Sequence, residues 1–387
     1  MDIHLTVKDD VEQVRQLWEY CFDDSKQFVD FFFEHRFYSG NTIAVYDGGK
    51  ICSCLQILPY KIMLRGKIYN CSYIVGVSTW PEYRGKGYAG RLLRAALDEL
   101  IVRKHPVSIL LPFRYDFYRK YGWETCYDQI LYDDITTGFM NVVKEDCYFK
   151  PVVVSDDIYE LQNCYIKFMS SYNGYIYREK EDWLRLLKEL NLSKGAAYIL
   201  KSGNKCEGYI IYTIRSKTLH IHECIYVNRE AREGLIAFAT SHYGGQVEKV
   251  SMIAPQDDLT YLSMADPRGL LQKKPYVMAR INDVDVVLSD LPATNQLNIV
   301  LNISDDLLEK NNGCFKIETH NGKTIASRTD LAPDGKLSIG ALTQLFWGYL
   351  TPEQAIRNGL IQAYNRNVVN NLNKLFPRIT PYIIEDY

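Results

Sequence analysis

Residues 74–93, IVGVSTWPEYRGKGYAGRLL, hold the pattern that decides the fold. Ile74, Val75 and Val77 favour an extended segment, Pro81 ends it, and Leu92, Leu93, Ala96, Leu97 and Leu100 recur at helical spacing. Between strand and helix stands Arg84-Gly85-Lys86-Gly87-Tyr88-Ala89, two glycines flanked by two cations. Glycine lets backbone N–H groups approach a ligand closely, and the N–H groups and positive dipole end of the following helix favour anions. The segment therefore has the chemistry of a diphosphate cradle.

Gly85-x-Gly87-x-x-Gly90 also satisfies a dinucleotide fingerprint, which requires an acidic residue at the end of the next strand, roughly 20 residues on. At that distance Asp98 and Glu99 fall inside the helix, and the next strand, Val107 to Leu111, ends in Pro112-Phe113. The nicotinamide reading fails on this context. A phosphate loop of the nucleotide-hydrolase kind is excluded because neither GxxxxGKS nor GxxxxGKT occurs.

Around this stretch the chain reads as an α+β unit. Two amphipathic helices, Val11 to Phe22 behind Asp9-Asp10 and Ser25 to Phe37, precede a hairpin of Ile43 to Tyr46 and Ile51 to Leu58. After the cradle helix come the Val107 strand, a short helix from Tyr115 to Tyr121, and a strand from Glu124 to Tyr132 that closes the unit. Beyond Asp133 the order repeats: helices Ile158 to Ser170 and Glu179 to Leu190, a hairpin over Tyr198 to Ile214, a strand Leu219 to Val227 and a helix Glu230 to His242. A period of about 150 residues is that of a duplicated domain, not a solenoid.

The second copy lacks the cradle. It reads Asn228-Arg229-Glu230-Ala231-Arg232-Glu233, and Glu230 and Glu233 would repel a diphosphate. From Ser289 the composition shifts to short strands, with Asn321-Gly322 as a hairpin turn, and then to helices at Ser338 to Tyr349, Pro352 to Asn358 and Tyr364 to Leu375. The predicted domains are residues 1–132, 133–288 and 289–387.

The 387 residues suffice for two or three cores, and 47% hydrophobic with 24% charged residues is ordinary for a soluble protein. A net charge of -2 gives no global attraction for nucleic acid or an anionic membrane. No basic start with an apolar core lies near Met1, and no apolar run reaches the roughly 20 residues that span a bilayer, so a cytoplasmic address is expected. The ten cysteines show no CxxC framework, as suits reduced thiols. His220-x-His222-x-Cys224 spreads its side chains along about 13 Å of strand, too far to meet one zinc ion, so no metal is expected.

Arg84 to Ala89 resembles the acetyl-coenzyme A (acetyl-CoA) signature of the GNAT acetyltransferases, Gln/Arg-x-x-Gly-x-Gly/Ala. Phe117-Tyr118-Arg119-Lys120-Tyr121-Gly122-Trp123 resembles the Phe-Tyr-x-x-x-Gly-aromatic segment that follows the next strand in that superfamily. With an active unit, a degenerate copy and a small α+β C-terminal unit, the whole chain resembles the enhanced intracellular survival protein (Eis) family. That resemblance implies tandem GNAT domains, N-terminal active and central degenerate, followed by a sterol carrier protein-like α+β domain. It also implies an acetyl-CoA-dependent N-acetyltransferase, commonly oligomeric, that transfers acetyl to a primary amine (aminoglycoside, polyamine or lysine-like acceptor) by direct attack in a ternary complex.

Carried over by position, the backbones of Val77 and Thr79 hold pantetheine, and Arg84, Gly85, Lys86, Gly87, Tyr88 and Ala89 hold the diphosphate. Tyr118 is the general acid, and the C-terminal carboxylate of Tyr387 is the second catalytic element, as base or as positioning group. Asp23, Asp24, Glu385 and Asp386 offer carboxylates for a polycationic acceptor. The rival expectation is a lipid- or ligand-binding protein that uses the C-terminal domain and keeps an inert acetyltransferase scaffold.

Overall fold

A computed structural model of the chain describes residues 2–135, 147–242, 245, 247–264, 266–268, 271–292, 297–320 and 323–386, with only the backbone at Ser155 and His320. They form two compact units. The first holds the chain through Cys126, then Tyr276–Pro381 and Asp386; the second holds Tyr127–Pro275 and Tyr382–Glu385.

In the first unit the main sheet runs in the order Asp2–Leu5, Thr42–Asp47, Lys50–Leu64, Lys67–Thr79, Val107–Leu110, Met278–Ile281 and Glu124–Thr125. Side chains alternate across it. Ile43, Val45, Leu55 and Ile57 pack with Leu92, Leu93, Ala96 and Leu97 of the helix Tyr88–Val102. Ala44, Tyr46 and Cys54 pack with Val14 and Leu17 of the helix Val11–Cys21. Each fully buried leucine contributes about 1.5–3 kcal/mol, so both faces of the sheet are held by helices the sequence anticipates. Asp10, the N-cap residue of Val11–Cys21, makes no side-chain cap; it accepts from the Val7 amide at 2.9 Å and the Tyr46 hydroxyl at 2.7 Å, fixing the turn that enters the helix. The second helix, Lys26–His35, is capped by Ser25, whose side chain accepts from the Phe28 amide.

The strand expected over Glu124 to Tyr132 is two strands in two sheets. Glu124–Thr125 pairs with Met278–Ile281 in the first unit. Asp128–Tyr132 pairs with Lys249–Pro255 and Leu271–Pro275 in the second. The physical reason is that the two ends of this segment serve two cores. Trp123 is buried with Leu92 and Leu110, whereas Ile130 and Tyr132 are buried with Leu219, Leu235 and Val250. The first sheet is completed by Met278–Ile281, which follows the long segment Tyr127–Pro275 of the second unit in the chain.

The second unit repeats the first in order. Helices Val154–Met169 and Lys180–Leu192 precede the hairpin Ala196–Ser202 and Lys205–Arg215, the strand Thr218–Tyr226 and the helix Arg229–Thr240. Its sheet order is Leu271–Pro275, Asp128–Tyr132, Lys249–Pro255, Thr218–Tyr226, Lys205–Arg215, Ala196–Ser202 and Cys147–Pro151.

The C-terminal part of the first unit has a sheet in the order Lys323–Arg328, Gly313–His320, Asn298–Ser304, Gly335–Ser338 and Ile361–Ala363; the Asn321-Gly322 turn lies outside the described residues. Every residue of its helix Ile339–Trp347 is buried. Thr343 Oγ1 accepts from the Ile281 amide at 3.1 Å, and Gln344 Nε2 donates to the Thr125 carbonyl at 3.1 Å. At the end of this helix Arg65, from the turn after Lys50–Leu64, donates to the carbonyls of Phe346 (2.8 Å), Leu345 (2.7 Å) and Pro377 (2.9 Å). A cation on helix C-terminal carbonyls is favourable, and burial lowers the Arg65 pKa to about 10. No helix among the described residues is long and apolar enough to cross a membrane.

Candidate active site

The strands Lys50–Leu64 and Lys67–Thr79 pair in register from Leu64–Lys67 to Gln56–Val75; the next pair beyond Leu55 is Cys54–Ser78, which leaves one extra residue at Gly76-Val77. This bulge requires glycine. Gly76 has φ +61°, and an added Cβ would lie 1.9 Å from Gln56 Oε1 and 2.4 Å from the Trp18 ring. Gln56 Oε1 is itself buried with no hydrogen-bond partner among the described residues. On the other side, Lys67–Thr79 runs parallel to Val107–Leu110 only from Cys71–Val107 to Ile74–Leu110. Pro112 has no N–H to extend the ladder, so the two strands part where Val77 and Thr79 lie half-buried. The edge that carries Val77 and Thr79 is thus left unpaired by Val107–Leu110, with the Thr79 carbonyl taken by a side-chain donor.

The cradle follows directly. Gly85 and Gly87 have φ +75° and +76°, and no atom within 4 Å would meet a Cβ at either. Gly87 is the N-cap of the helix Tyr88–Val102 and supplies no side-chain cap, so the first-turn N–H groups stay available to a ligand. Arg84 and Lys86 are exposed, with Arg84 Nε donating to the Thr79 carbonyl at 3.1 Å and Lys86 Nζ 4.8 Å from the Tyr83 ring centre. Positive dipole end, open amides and two cations fit a diphosphate. In the second copy the same position is closed: the Asn228 side chain caps the helix Arg229–Thr240 by accepting from the Ala231 amide at 2.8 Å.

Tyr118 stands on the short helix Tyr115–Arg119 and is 3% exposed. It shares one core cluster with Tyr88, Leu110 and Trp123, and Val77 packs against that cluster, so the structure brings together three of the residues expected at the site. Its ring meets Phe113 and Phe117 edge-on at 5.5 and 5.1 Å. Its hydroxyl has no hydrogen-bond partner among the described residues, and burial raises its pKa above the ordinary tyrosine value, keeping the proton on oxygen.

Tyr387 lies outside the described residues. Of the four acidic residues expected to face an acceptor, Asp24 accepts from Trp18 Nε1 at 2.9 Å. Glu385 belongs to the second unit, where it is largely buried in an ion pair with Arg178 at 2.8 Å, so its carboxylate is engaged within that unit. His220 and His222 bond the hydroxyls of Ser251 and Thr213, each at 2.8 Å. The sequence pattern also passes over Arg280, whose guanidinium is buried against Asp305 at 2.8 and 2.9 Å and donates to the Tyr121 carbonyl at 3.0 Å. That contact anchors the loop that follows Tyr118. An arginine in an ordinary apolar strand gives no local signal of such a role.

Comparisons with known proteins agree with this geometry. Residues 2–126 and residues 174–281 each match a family described as acetyltransferase (GNAT) domain, and residues 284–384 match the sterol carrier protein domain family. No curated protein matches. Among solved structures, a probable N-acyltransferase from Enterococcus faecalis, described as a conserved protein of unknown function, is 25% identical with a TM-score of 0.89, covering 100% of this chain and 99% of its own. A GCN5-related N-acetyltransferase from Anabaena variabilis (23% identity, TM-score 0.88) and Eis1 from Mycobacterium abscessus (16%, 0.79) share the fold, with 100% of both chains covered in each case.

Proposed function

The chain belongs to the GNAT acetyltransferases, with two GNAT domains and a sterol carrier protein domain in Eis-like order, and from that premise we propose that its first domain is an acetyl-CoA-dependent N-acetyltransferase acting on primary amines. Acetyl-CoA would supply the acetyl group as a thioester. The observation that carries the proposal is the uncapped helix N-terminus at Gly87 beside the open edge of Lys67–Thr79. The open amides from Gly85 to Ala89, with Arg84 and Lys86, hold the diphosphate, and the Val77 and Thr79 backbones align pantetheine along the strand.

In the ternary complex a neutral amine forms a C–N bond to the acetyl carbon while the C–S bond breaks. Tyr118 gives its proton to the departing sulfur, and the proton lost by the amine restores the balance through water. Burial strengthens the O–H of Tyr118, but the same apolar surroundings raise the basicity of a thiolate released beside it, so donor and acceptor stay matched. The carboxylate of Tyr387 positions the amine or relays its proton. A terminal carboxylate, with an ordinary pKa of about 3.3–3.7, is a weak base, which favours positioning.

The test is thermal stabilisation by acetyl-CoA, followed by thiol release with polyamines, aminoglycosides and lysine peptides as acceptors. Ligand-induced stabilisation and amine-dependent thiol release support the proposal; absence of stabilisation at saturating acetyl-CoA refutes it.

A further inference from the structure

The second GNAT domain keeps the strand geometry of a cofactor opening without its phosphate cradle. Its strand Thr218–Tyr226 pairs with Lys205–Arg215 through Glu223–Ile211 and then Ile221–Tyr212, leaving His222 as an extra residue, as Gly76-Val77 does in the first copy. Its parallel pairing with Lys249–Pro255 ends at Ile221–Met252, so the two strands part beyond that point, just as they do beyond Ile74–Leu110. This second opening is filled. Tyr382 is buried there, and with Cys224, Tyr226, Met252, Ala254 and Asp258 it lines a residual space of only about 10 Å³. One water needs about 10–15 Å³ of such space.

Tyr382 comes from the C-terminal segment Tyr382–Glu385, among the described residues the only part beyond Pro275 that belongs to this unit. Its amide donates to the Asn173 carbonyl at 3.0 Å, its ring lies 5.3 Å from that of Tyr172, and Tyr382 and Ile383 are 3% and 1% exposed. Three residues on, Glu385 meets Arg178, which also makes a bidentate pair with Glu223 at 2.8 and 3.0 Å. The Arg178 guanidinium sits 4.5 and 4.8 Å from the ring centres of Tyr165 and Trp183, and the Tyr209 hydroxyl donates to Glu223 at 2.7 Å.

We propose that the vacated cofactor opening of the second GNAT domain is a receptor for the chain's own C-terminal segment, with Tyr382 as the plug and Arg178 as the clamp on Glu385. Burying one guanidinium with two carboxylates is a poor source of net stability, because desolvating three charges offsets their attraction; what such a cluster supplies is a defined register. The register is that of the segment Tyr382–Glu385: by holding Glu385, Arg178 fixes Tyr382 and Ile383 in the opening.

The test uses the full chain and hydrogen exchange. In the wild type the amides of Tyr382–Glu385 exchange slowly. Arg178→Met and Glu385→Gln each speed their exchange at least tenfold while the strand Lys205–Arg215 stays protected; Glu385→Gln leaves the Arg178–Glu223 pair intact and so separates release of the tail from damage to the domain. Unchanged protection of the tail in Glu385→Gln overturns the receptor. A wild type that acetylates no amine refutes the proposed function, and the exchange data still decide the receptor.

Discussion

Ile74 and Leu110 form the last pair between two parallel strands, and the residues beyond them diverge. Everything assigned to the donor side of the site depends on that parting. It exposes the edge carrying Val77 and Thr79 and leaves room ahead of the helix whose N-cap is Gly87. Gly76 produces the bulge on one side, and Pro112 ends the ladder on the other.

Gly76→Ala should damage fold and site together. The new methyl would meet Gln56 Oε1 and the Trp18 ring within bond-like distances, at a φ that L-residues resist. The loss of stability should be roughly 2–5 kcal/mol, from strain plus overpacking. Chemical denaturation measures it.

Gly87→Ala should spare the core, since nothing lies within 4 Å of the added atom. The left-handed conformation at φ +76° would cost about 1–2 kcal/mol, and relaxing it turns the first-turn amides away from the ligand. Acetyl-CoA affinity should fall about tenfold, read by titration calorimetry. Lys86→Ala should have a smaller effect, about two- to fivefold, that shrinks as salt is added, because Lys86 is exposed.

Tyr118→Phe removes the proton donor and little else, since the hydroxyl has no partner to orphan. Turnover should fall roughly 10²–10⁴-fold with acetyl-CoA binding preserved. The pH profile carries an independent check. Burial raises the Tyr118 pKa, so the protonated form is fully present below the ordinary value of about 10 and is lost only above it. The wild-type kcat should therefore show no falling alkaline limb below pH of about 10, and its acid limb should follow protonation of the amine acceptor. A tyrosine-dependent decline near neutrality would contradict the assignment.

Arg65→Met should destabilise the first unit by at least about 3 kcal/mol. The buried carbonyls of Leu345 and Phe346, and the part-buried carbonyl of Pro377, would lose a charged donor. Thermal unfolding, with the loss concentrated in hydrogen exchange of the helix Ile339–Trp347, measures it.

The sequence made the cradle legible because its signal is local. Gly85, Gly87 and the leucine spacing after them lie within one strand-turn-helix unit, and Tyr118 lies in a second short pattern. The duplication was legible for the same reason, from the order of helices and hairpins. What the sequence concealed is non-local. The run from Glu124 to Tyr132 reads as one strand because no glycine or proline interrupts it, yet Trp123 just before it and Ile130 within it sit in different cores. That the first sheet takes its missing strand from Met278–Ile281, or that Arg65 ends on carbonyls some 280 residues away, leaves no trace in any short window. Glu385 shows the same limit: beside Asp386 it offers a carboxylate for an acceptor, and only the fold reveals its pairing with Arg178.

The most direct test of the central claim is amine-dependent thiol release from acetyl-CoA by wild type and Tyr118→Phe, with product mass recorded. The account predicts an acetylated amine and stoichiometric thiol in the wild type, and a roughly 10²-fold or greater loss of turnover in Tyr118→Phe with unchanged stabilisation by acetyl-CoA. Equal turnover in the two proteins, or stabilisation by acetyl-CoA with no amine acetylated, would contradict it.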